Sequence, residues 1–343
     1  MNPRPQLRRL EGGTKLTEIG DLKKFYKDKN VTVLGATGLI GSHMVNELCT
    51  LGARVKAVWF RRPPNEFTNL ADNKERANLL DYERARTAVK GSEIVMDCAG
   101  VTGGVGLAVD DPTAFVGSNA VLGANVLEAC YKEGVARVGF LSSTVVYPPL
   151  PRPVKEDDLD MRSEPYPLYF GIAWVKRFLE KLCEFYYKKV HLNIGLIRPS
   201  GAYGMFDNFD ESTSHVLPAL ITRAFREKKR FVLWGDGTDV RDLVHAHDVV
   251  RGLVRAVILR PDATPINIAS GRPVTTFELA KMVLEAVGSK ARIELDTSKP
   301  TALHSRTVDI TKARMELGYE PTVKLEDGIK DTVEWFRNRG DKP

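Results

Sequence analysis

From Val31 to Ser200 short apolar runs alternate with stretches long enough for helices, and that alternation constrains the fold more than any other feature. VTVLGA, ARVKAVWF, EIVMDCAG, VARVGFLSS and LNIGLIRPS read as strands. LIGSHMVNELCTLG, RARTAVKG, AFVGSNAVLGANVLEACYKEG and PLYFGIAWVKRFLEKLCEFYYKK, lying between them, read as helices. Strands joined by helices make βαβ units, so the expected class is α/β, a Rossmann-type doubly wound parallel sheet. After Gly204 the chain changes to polar loops, isolated helices and short strands as far as Trp335, as a smaller C-terminal α/β substrate lobe would read. The expected division is 1–29 as a polar N-terminal extension with an amphipathic stretch at Leu22–Tyr26, and 30–204 as a dinucleotide-binding domain. Residues 205–343 would form the substrate lobe, with strand and helix crossovers back to the first domain.

Composition narrows the partners. The 343 residues carry a net charge of +6, with basic residues scattered rather than clustered. Scattered charge suits an anionic small molecule better than nucleic acid. Cys49, Cys98, Cys130 and Cys183 lie far apart without a C-x-x-C, and read as reduced thiols in a cytoplasmic protein rather than disulfides or a zinc site. No apolar run reaches the roughly 18 residues of a membrane span, and the start, MNPRPQLRRLEGG, lacks the apolar core of a signal peptide. The HAHD run (His245, His247, Asp248) suggests a metal on paper, but its place at a strand-to-helix turn reads as structural, so no metal is expected.

Gly35-Ala36-Thr37-Gly38-Leu39-Ile40-Gly41 follows the first strand and opens the first helix. Glycines there let the backbone turn tightly and approach a pyrophosphate seated on free N–H groups of the helix. NAD binders usually end the second strand in Asp or Glu, to hold ribose hydroxyls. This chain has Trp59-Phe60-Arg61-Arg62, and two arginines suit the 2′-phosphate of NADP. NADP is therefore the expected cofactor, ahead of NAD. Ser142 and Ser143 close the strand that leads into the crevice where such a sheet binds its ligand, and Ser143 is the better candidate to hydrogen-bond a substrate oxygen.

The order GATGLIGS, CAGVTGGVG, FLSSTVVYP and EPYPLYFGIAWVKRFLEKLCE, followed by RPSGAYGMFDNFDESTSHVLPALITRAF, LWGDGTDVRDLVHAHDVV and DTSKP, resembles the extended short-chain dehydrogenase/reductases. Within them the chain is most similar to the GDP-L-fucose synthase group, over about Val31 to Arg337. In that family a Tyr stands four residues before a Lys on the helix after the Ser strand, and polarises a carbonyl beside the nicotinamide. Lys176 keeps the following KLCE run and the RPS strand in step, which places Ile172 where the Tyr belongs. Aligning the motif on Phe170 and Trp174 instead also leaves no Tyr. Residues i and i+4 share a helix face, so an isoleucine occupies the place of the proton donor.

The resemblance implies that Ser143 and Lys176 hold the keto or hydroxyl end of a nucleotide-sugar. It makes His215 the acid of an epimerisation whose partner Cys is replaced by Val145. It implies that Arg223, Trp234, Arg241 and Lys299 grip the nucleotide and its diphosphate, and it puts Gly201 where relatives carry Asn. The cofactor site is expected to take in Gly35, Thr37, Gly38, Leu39, Ile40, Gly41, Arg61, Arg62, Asn78, Leu79, Ala99, Gly100, Lys176 and Pro199. Tyr169, expected one helical turn before Ile172 on the same face, is a candidate substitute acid. A homodimer is expected from the helices around 113–132 and 168–188, which are apolar on more than one face. Three readings stand: an NADP(H)-dependent reductase or epimerase of a GDP-4-keto-6-deoxyhexose-like substrate with altered acid chemistry; a catalytically silent nucleotide binder; and a dehydratase or epimerase variant using Lys176 as acid/base.

Overall fold

The structure, a computed structural model, describes residues 19–299 and 303–339; residues 1–18 of the expected extension lie outside these. Helix α1 (Ile19–Tyr26) is packed on the fold: Leu22 and Tyr26 are buried, and the Tyr26 hydroxyl donates to the Val254 carbonyl at 2.9 Å. There follow β1 (Asn30–Leu34), α2 (Leu39–Thr50), β2 (Arg54–Trp59), β3 (Asn73–Arg76), α3 (Tyr82–Val89), β4 (Ile94–Asp97), α4 (Val105–Asp110), α5 (Gly117–Lys132), β5 (Arg137–Leu141), α6 (Phe170–Val190) and β6 (Asn193–Pro199). The second part holds β7 (Gly201–Tyr203), α7 (Val216–Arg226), β8 (Arg230–Trp234), β9 (Val240–His245), α8 (Ala246–Leu259), β10 (Asp262–Ile268), β11 (Pro273–Thr275), α9 (Thr276–Val287), β12 (Arg292–Asp296), β13 (Ser305–Arg306), α10 (Thr311–Leu317) and α11 (Leu325–Asn338).

The central sheet has seven strands in the order β10-β6-β5-β4-β1-β2-β3, with every pairing parallel. Buried on both faces, its central strands read as unbroken apolar runs. One face packs on α2, α8 and α1 through Met44, Leu48, Leu253 and Val257. The other packs on α3, α5 and α6 through Val126, Leu179 and Cys183. The strand order reverses between β1 and β4, and a doubly wound sheet opens its ligand crevice at that switch point.

After β6 the chain builds a second core from α7, α9 and α11 around Leu217, Ile221, Leu279 and Ile329. Segment 246–268 then crosses back, adding α8 to one face of the main sheet and β10 to its edge. The HAHD run sits at this crossing: His245 N-caps α8, and its side chain accepts from the His247 amide. Asp248 accepts from the Thr322 and Val323 amides, each at 3.0 Å. The four cysteines are free, with Cys130 and Cys183 buried and Cys49 and Cys98 half-buried. Among the described residues no helix is long and apolar enough to cross a membrane.

Three boundaries differ from the sequence reading. The polar edge strand β3 (NKER) has no apolar alternation to announce it, because an edge strand buries little. The long helix expected from Ala114 begins at Gly117, preceded by the separate short α4. Helix α6 begins at Phe170, because Pro167–Tyr169 form a tight 3-10 turn instead.

Close approach of α8 to the sheet depends on Gly195 in β6, where an added Cβ would lie 2.4 Å from the Val257 backbone nitrogen. Backbone cannot yield there as a flexible side chain would. Gly195→Ala is therefore expected to destabilise the protein by about 1–3 kcal/mol, seen as a lower urea midpoint at unchanged slope. An unchanged midpoint would contradict this packing.

Candidate active site

The turn between β1 and α2 is built for an anion. Gly35 has φ of +69°, and an added Cβ would lie 2.7 Å from the Cys98 carbonyl oxygen. At Gly41 a Cβ would sit 2.1 Å from the Gly35 oxygen, so these two glycines are fixed by packing within the chain. Gly38 is different. It is the N-cap of α2, no side chain caps the helix, and nothing lies closer than 3.5 Å to where its Cβ would be. The first-turn amides of Leu39 and Ile40 are thus left for a ligand, with no acidic residue in the first turn to repel a phosphate. The hydroxyl of Ser200, next to Pro199 at the end of β6, is buried with no hydrogen-bond partner. These features fit a dinucleotide pyrophosphate.

At the end of β2 Arg61 is exposed, whereas Arg62 donates to the Phe206 carbonyl at 3.1 Å and so ties the second lobe to this corner. Arg76, which the sequence reading did not bring forward, donates to the Phe60 carbonyl at 3.0 Å and lies 5.6 Å from the Trp59 ring centre. Its signal was hidden in the polar edge strand. After β3, on the same side of the switch point, Leu79 is buried, and Asn78 accepts the Leu80 amide. The Ala99 amide donates to Asp97, and Gly100 passes close to Asn119, where a Cβ would meet Oδ1 at 3.2 Å. Asn119 is a further residue missed from sequence: buried, it clasps Val101 through both its amide oxygen and nitrogen.

The end of β5 carries the reactive groups. Ser142 turns inward and donates to Glu180, whose carboxylate also pairs with Arg198 at 2.7 Å. Arg198 in turn donates to the Tyr147 hydroxyl at 2.8 Å, and Tyr147 donates to Asn267 at 2.6 Å. This buried network holds the strand end and leaves Ser143 as the half-buried hydroxyl, which among the described residues accepts the Val145 amide at 3.3 Å. Lys176 reaches down from α6, and its Nζ donates to the Leu141 carbonyl at 2.9 Å, two residues before Ser143. Ile172, one turn earlier, is half-buried against the apolar cluster of α5 and the sheet. Burial lowers the Lys176 pKa, opposed chiefly by the charge of Asp97.

Tyr169 lies just ahead of α6 rather than within it, at the end of the 3-10 turn that precedes the helix. It is the N-cap of α6, and its ring faces Arg306, whose guanidinium is 4.5 Å from the ring centre. Pro167 explains this: it favours a turn start, so the helix opens three residues later. A cleft lined by Thr144, Val145, Tyr166, Tyr169, Ser305 and Arg306 joins the Ser143 turn to the second lobe.

His215 caps no amide at the start of α7 and is open to solvent at the side-chain level, yet crowded by surrounding protein. That desolvation, with the positive charge of Arg306, lowers its pKa. Arg223 is already engaged, donating to Glu227 at 3.0 Å and to the Val232 carbonyl. Arg241 pairs with Asp239 at 3.0 Å and donates to the Leu303 carbonyl at 2.7 Å. Trp234 is 43% exposed, with Lys299 Nζ 5.9 Å from its ring. At Gly201 a Cβ would meet the tip of the Leu243 side chain at 2.8 Å, so a larger residue at this position requires that side chain to shift. Arg306, missed from sequence, is half-buried in the cleft beside these groups.

A profile of the NAD dependent epimerase/dehydratase family matches residues 31–269. GDP-L-fucose synthase 1 of Arabidopsis thaliana is 31% identical over 336 residues, covering 94% of this chain and 96% of the plant protein. The dTDP-4-dehydro-6-deoxy-D-allose reductase of Streptomyces bikiniensis is 29% identical over 320 residues, covering 90% of this chain and 97% of its own. Among solved structures, a UDP-glucose 4-epimerase of Thermotoga maritima with UDP-glucose matches at a TM-score of 0.79 and 28% identity, covering 90% of this chain and 98% of that one. With its glycine turn at the switch point and Lys176 beside the Ser143 strand, the chain belongs to the NAD-dependent epimerase/dehydratase family and is an enzyme of the sugar-nucleotide epimerase and reductase kind.

Proposed function

We propose that this enzyme uses NADP(H) to reduce a keto group on a nucleotide-sugar of the GDP-4-keto-6-deoxyhexose kind. The observation that carries the reading is the convergence of Lys176 and Ser143 on one strand end, with Ile172 in the place of a phenol and Val145 on the cleft wall. An epimerisation needs two groups that exchange protons with carbon, and valine can exchange none. Reduction needs only one proton at oxygen. The Streptomyces relative, a reductase by name, supports the same choice.

Gly35, Thr37, Gly38, Leu39, Ile40 and Gly41 would cradle the pyrophosphate, and Arg61 and Arg62 the 2′-phosphate, with Asn78, Leu79, Ala99, Gly100 and Pro199 lining the remaining crevice. When bound, the reduced nicotinamide supplies a hydride to the carbonyl carbon. Ser143 holds the carbonyl oxygen, and the Lys176 ammonium stabilises the charge that develops on it and is the nearest stocked proton. Tyr169 from the start of α6 and His215 from the second lobe flank the sugar as further proton-bearing groups. Trp234 stacks on the base, and Arg223, Arg241 and Lys299 set the positive field for the diphosphate. Exposed Phe178 and Phe185, each 51% exposed and one heptad apart on α6, together with Val121 on α5, form the face on which a second copy packs.

NADPH oxidation followed at 340 nm with GDP-4-keto-6-deoxymannose tests the reading, with the dTDP analogue as control. Oxidation with neither sugar, in protein that binds NADPH, would overturn it. NADP(H) should bind about tenfold or more tightly than NAD(H), since a charge-assisted phosphate contact contributes about 1.5–3 kcal/mol. Arg61→Ala with Arg62→Ala should erase that preference, and equal affinity in the unchanged protein would contradict it.

Ile172→Tyr is expected to lower turnover, because the larger, polar side chain replaces one packed against the apolar cluster of α5, α6 and the sheet. A gain of about 10²–10⁴-fold, the usual worth of a general acid, would instead show a site that merely lost its phenol. Phe178→Asp with Phe185→Asp should convert a dimer to a monomer by light scattering. A monomer before substitution would refute the interface.

A further inference from the structure

Behind Lys176 lies a carboxyl that no motif announced. Asp97 ends β4 beside the switch point, on the sheet face covered by α5 and α6, and is only 4% exposed. Strand alternation puts it on the same side as Val95, and it pairs in register with Phe140 of β5. The Lys176 ammonium lies 5.8 Å from the Phe140 ring centre, so both charged groups sit over the same stretch of sheet. The ionisable groups around Asp97 are Lys176 and Cys183 from α6, Cys130 from α5 and Cys98 of its own strand end. Lys176 faces one other carboxylate, Glu180.

Glu180 is already committed, since Arg198 pairs with it through two nitrogens and Ser142 donates to it. Asp97 has no arginine. Its hydrogen bond among the described residues is from the Ala99 amide at 3.2 Å, which leaves most of its charge to be balanced across the layer. An ammonium and a carboxylate in an apolar layer are each costly alone, and removing either partner strands the other. Burial pushes the Asp97 carboxyl up to about 6, against the pull of Lys176. Each group's charge thus favours the charged form of the other against the cost of burial.

We propose that Asp97 is a positioning residue of the active site: its carboxylate is the counter-charge that keeps Lys176 an ammonium, so that an N–H donor stands in a site where Ile172 offers none. The inference rests on the reading of Lys176 given above and concerns only this chain's own groups. Without the carboxylate, burial strips the lysine of its proton at lower pH, and the donor becomes an uncharged amine.

Two measurements test it, one of them without cofactor. In protein labelled with ¹³C at aspartate carboxyls, one resonance should titrate near pH 6, vanish in Asp97→Asn, and move to higher pH by about one unit in Lys176→Met. The Asp207 carboxyl, which burial raises to about 7, should stay where it is and serve as the internal control. An Asp97 titration unmoved by Lys176→Met overturns the pairing; if Asp97→Asn does not fold, the comparison of wild type with Lys176→Met still decides. In the second, NADPH affinity is followed by fluorescence from pH 6 to 10. Asp97→Asn should bring the alkaline loss of binding to lower pH by about one unit, Lys176→Met should abolish that loss, and Asp97→Glu should restore part of the range. An alkaline limb unchanged in folded Asp97→Asn, or persisting in Lys176→Met, overturns the proposal. No NADPH binding by any form overturns the functional reading instead, and leaves the carboxyl titration to judge the pair.

Discussion

The hydrogen bond from Lys176 to the Leu141 carbonyl is the contact on which the site depends. It pins α6 to the end of β5, two residues before Ser143, and draws a charged side chain through an apolar layer to do so. Everything around it serves to hold that arrangement. Arg198 and Glu180 neutralise each other beneath the strand, Tyr147 and Asn267 extend the network toward β10, and Arg177 fastens the 144–146 turn by donating to the Val146 carbonyl at 2.8 Å. Buried networks of this kind favour one geometry where their members are satisfied, and here one buried nitrogen of Arg177, Nη2, has no partner among the described residues.

The second lobe meets this strand end across a cleft with a marked charge pattern. Two of its cations are engaged within the protein: Arg223 with Glu227 and Arg241 with Asp239. Those groups shape the wall more than they offer free donors. Arg306 is different, with the Tyr169 ring as its neighbour and no carboxylate beside it among the described residues. Its charge also lowers the pKa of His215, so that the ring is neutral over more of the working range. A cleft with a guanidinium on its wall is positively biased toward an anionic ligand.

Much of this was legible in the sequence because it follows from period and spacing. Buried parallel strands read as apolar runs, and the glycine turn declares itself by φ and close approach at Gly35 and Gly41. Lys176 was put forward by the family resemblance, through its step with the KLCE run, and Ile172 by counting back four residues on the same helix face. What was not legible came from residues acting across elements. Asp97 looks like the polar end of a strand until α6 is folded over it. Arg76 hides in an edge strand without alternation, and Arg306 and Asn119 gain meaning only from partners distant in sequence. The start of α6 was misplaced by assuming that a helix pattern extends through Pro167, where the chain turns instead.

The most direct test of the account is hydride transfer itself. NADPH deuterated at the transferable nicotinamide C4 position, incubated with enzyme and GDP-4-keto-6-deoxymannose, is expected to leave one deuterium on the former carbonyl carbon of the sugar by NMR, and none when Lys176 is replaced by Met. Absence of transfer from protein that binds NADPH, or transfer undiminished in Lys176→Met, would contradict a reductase that works through this lysine without a phenol.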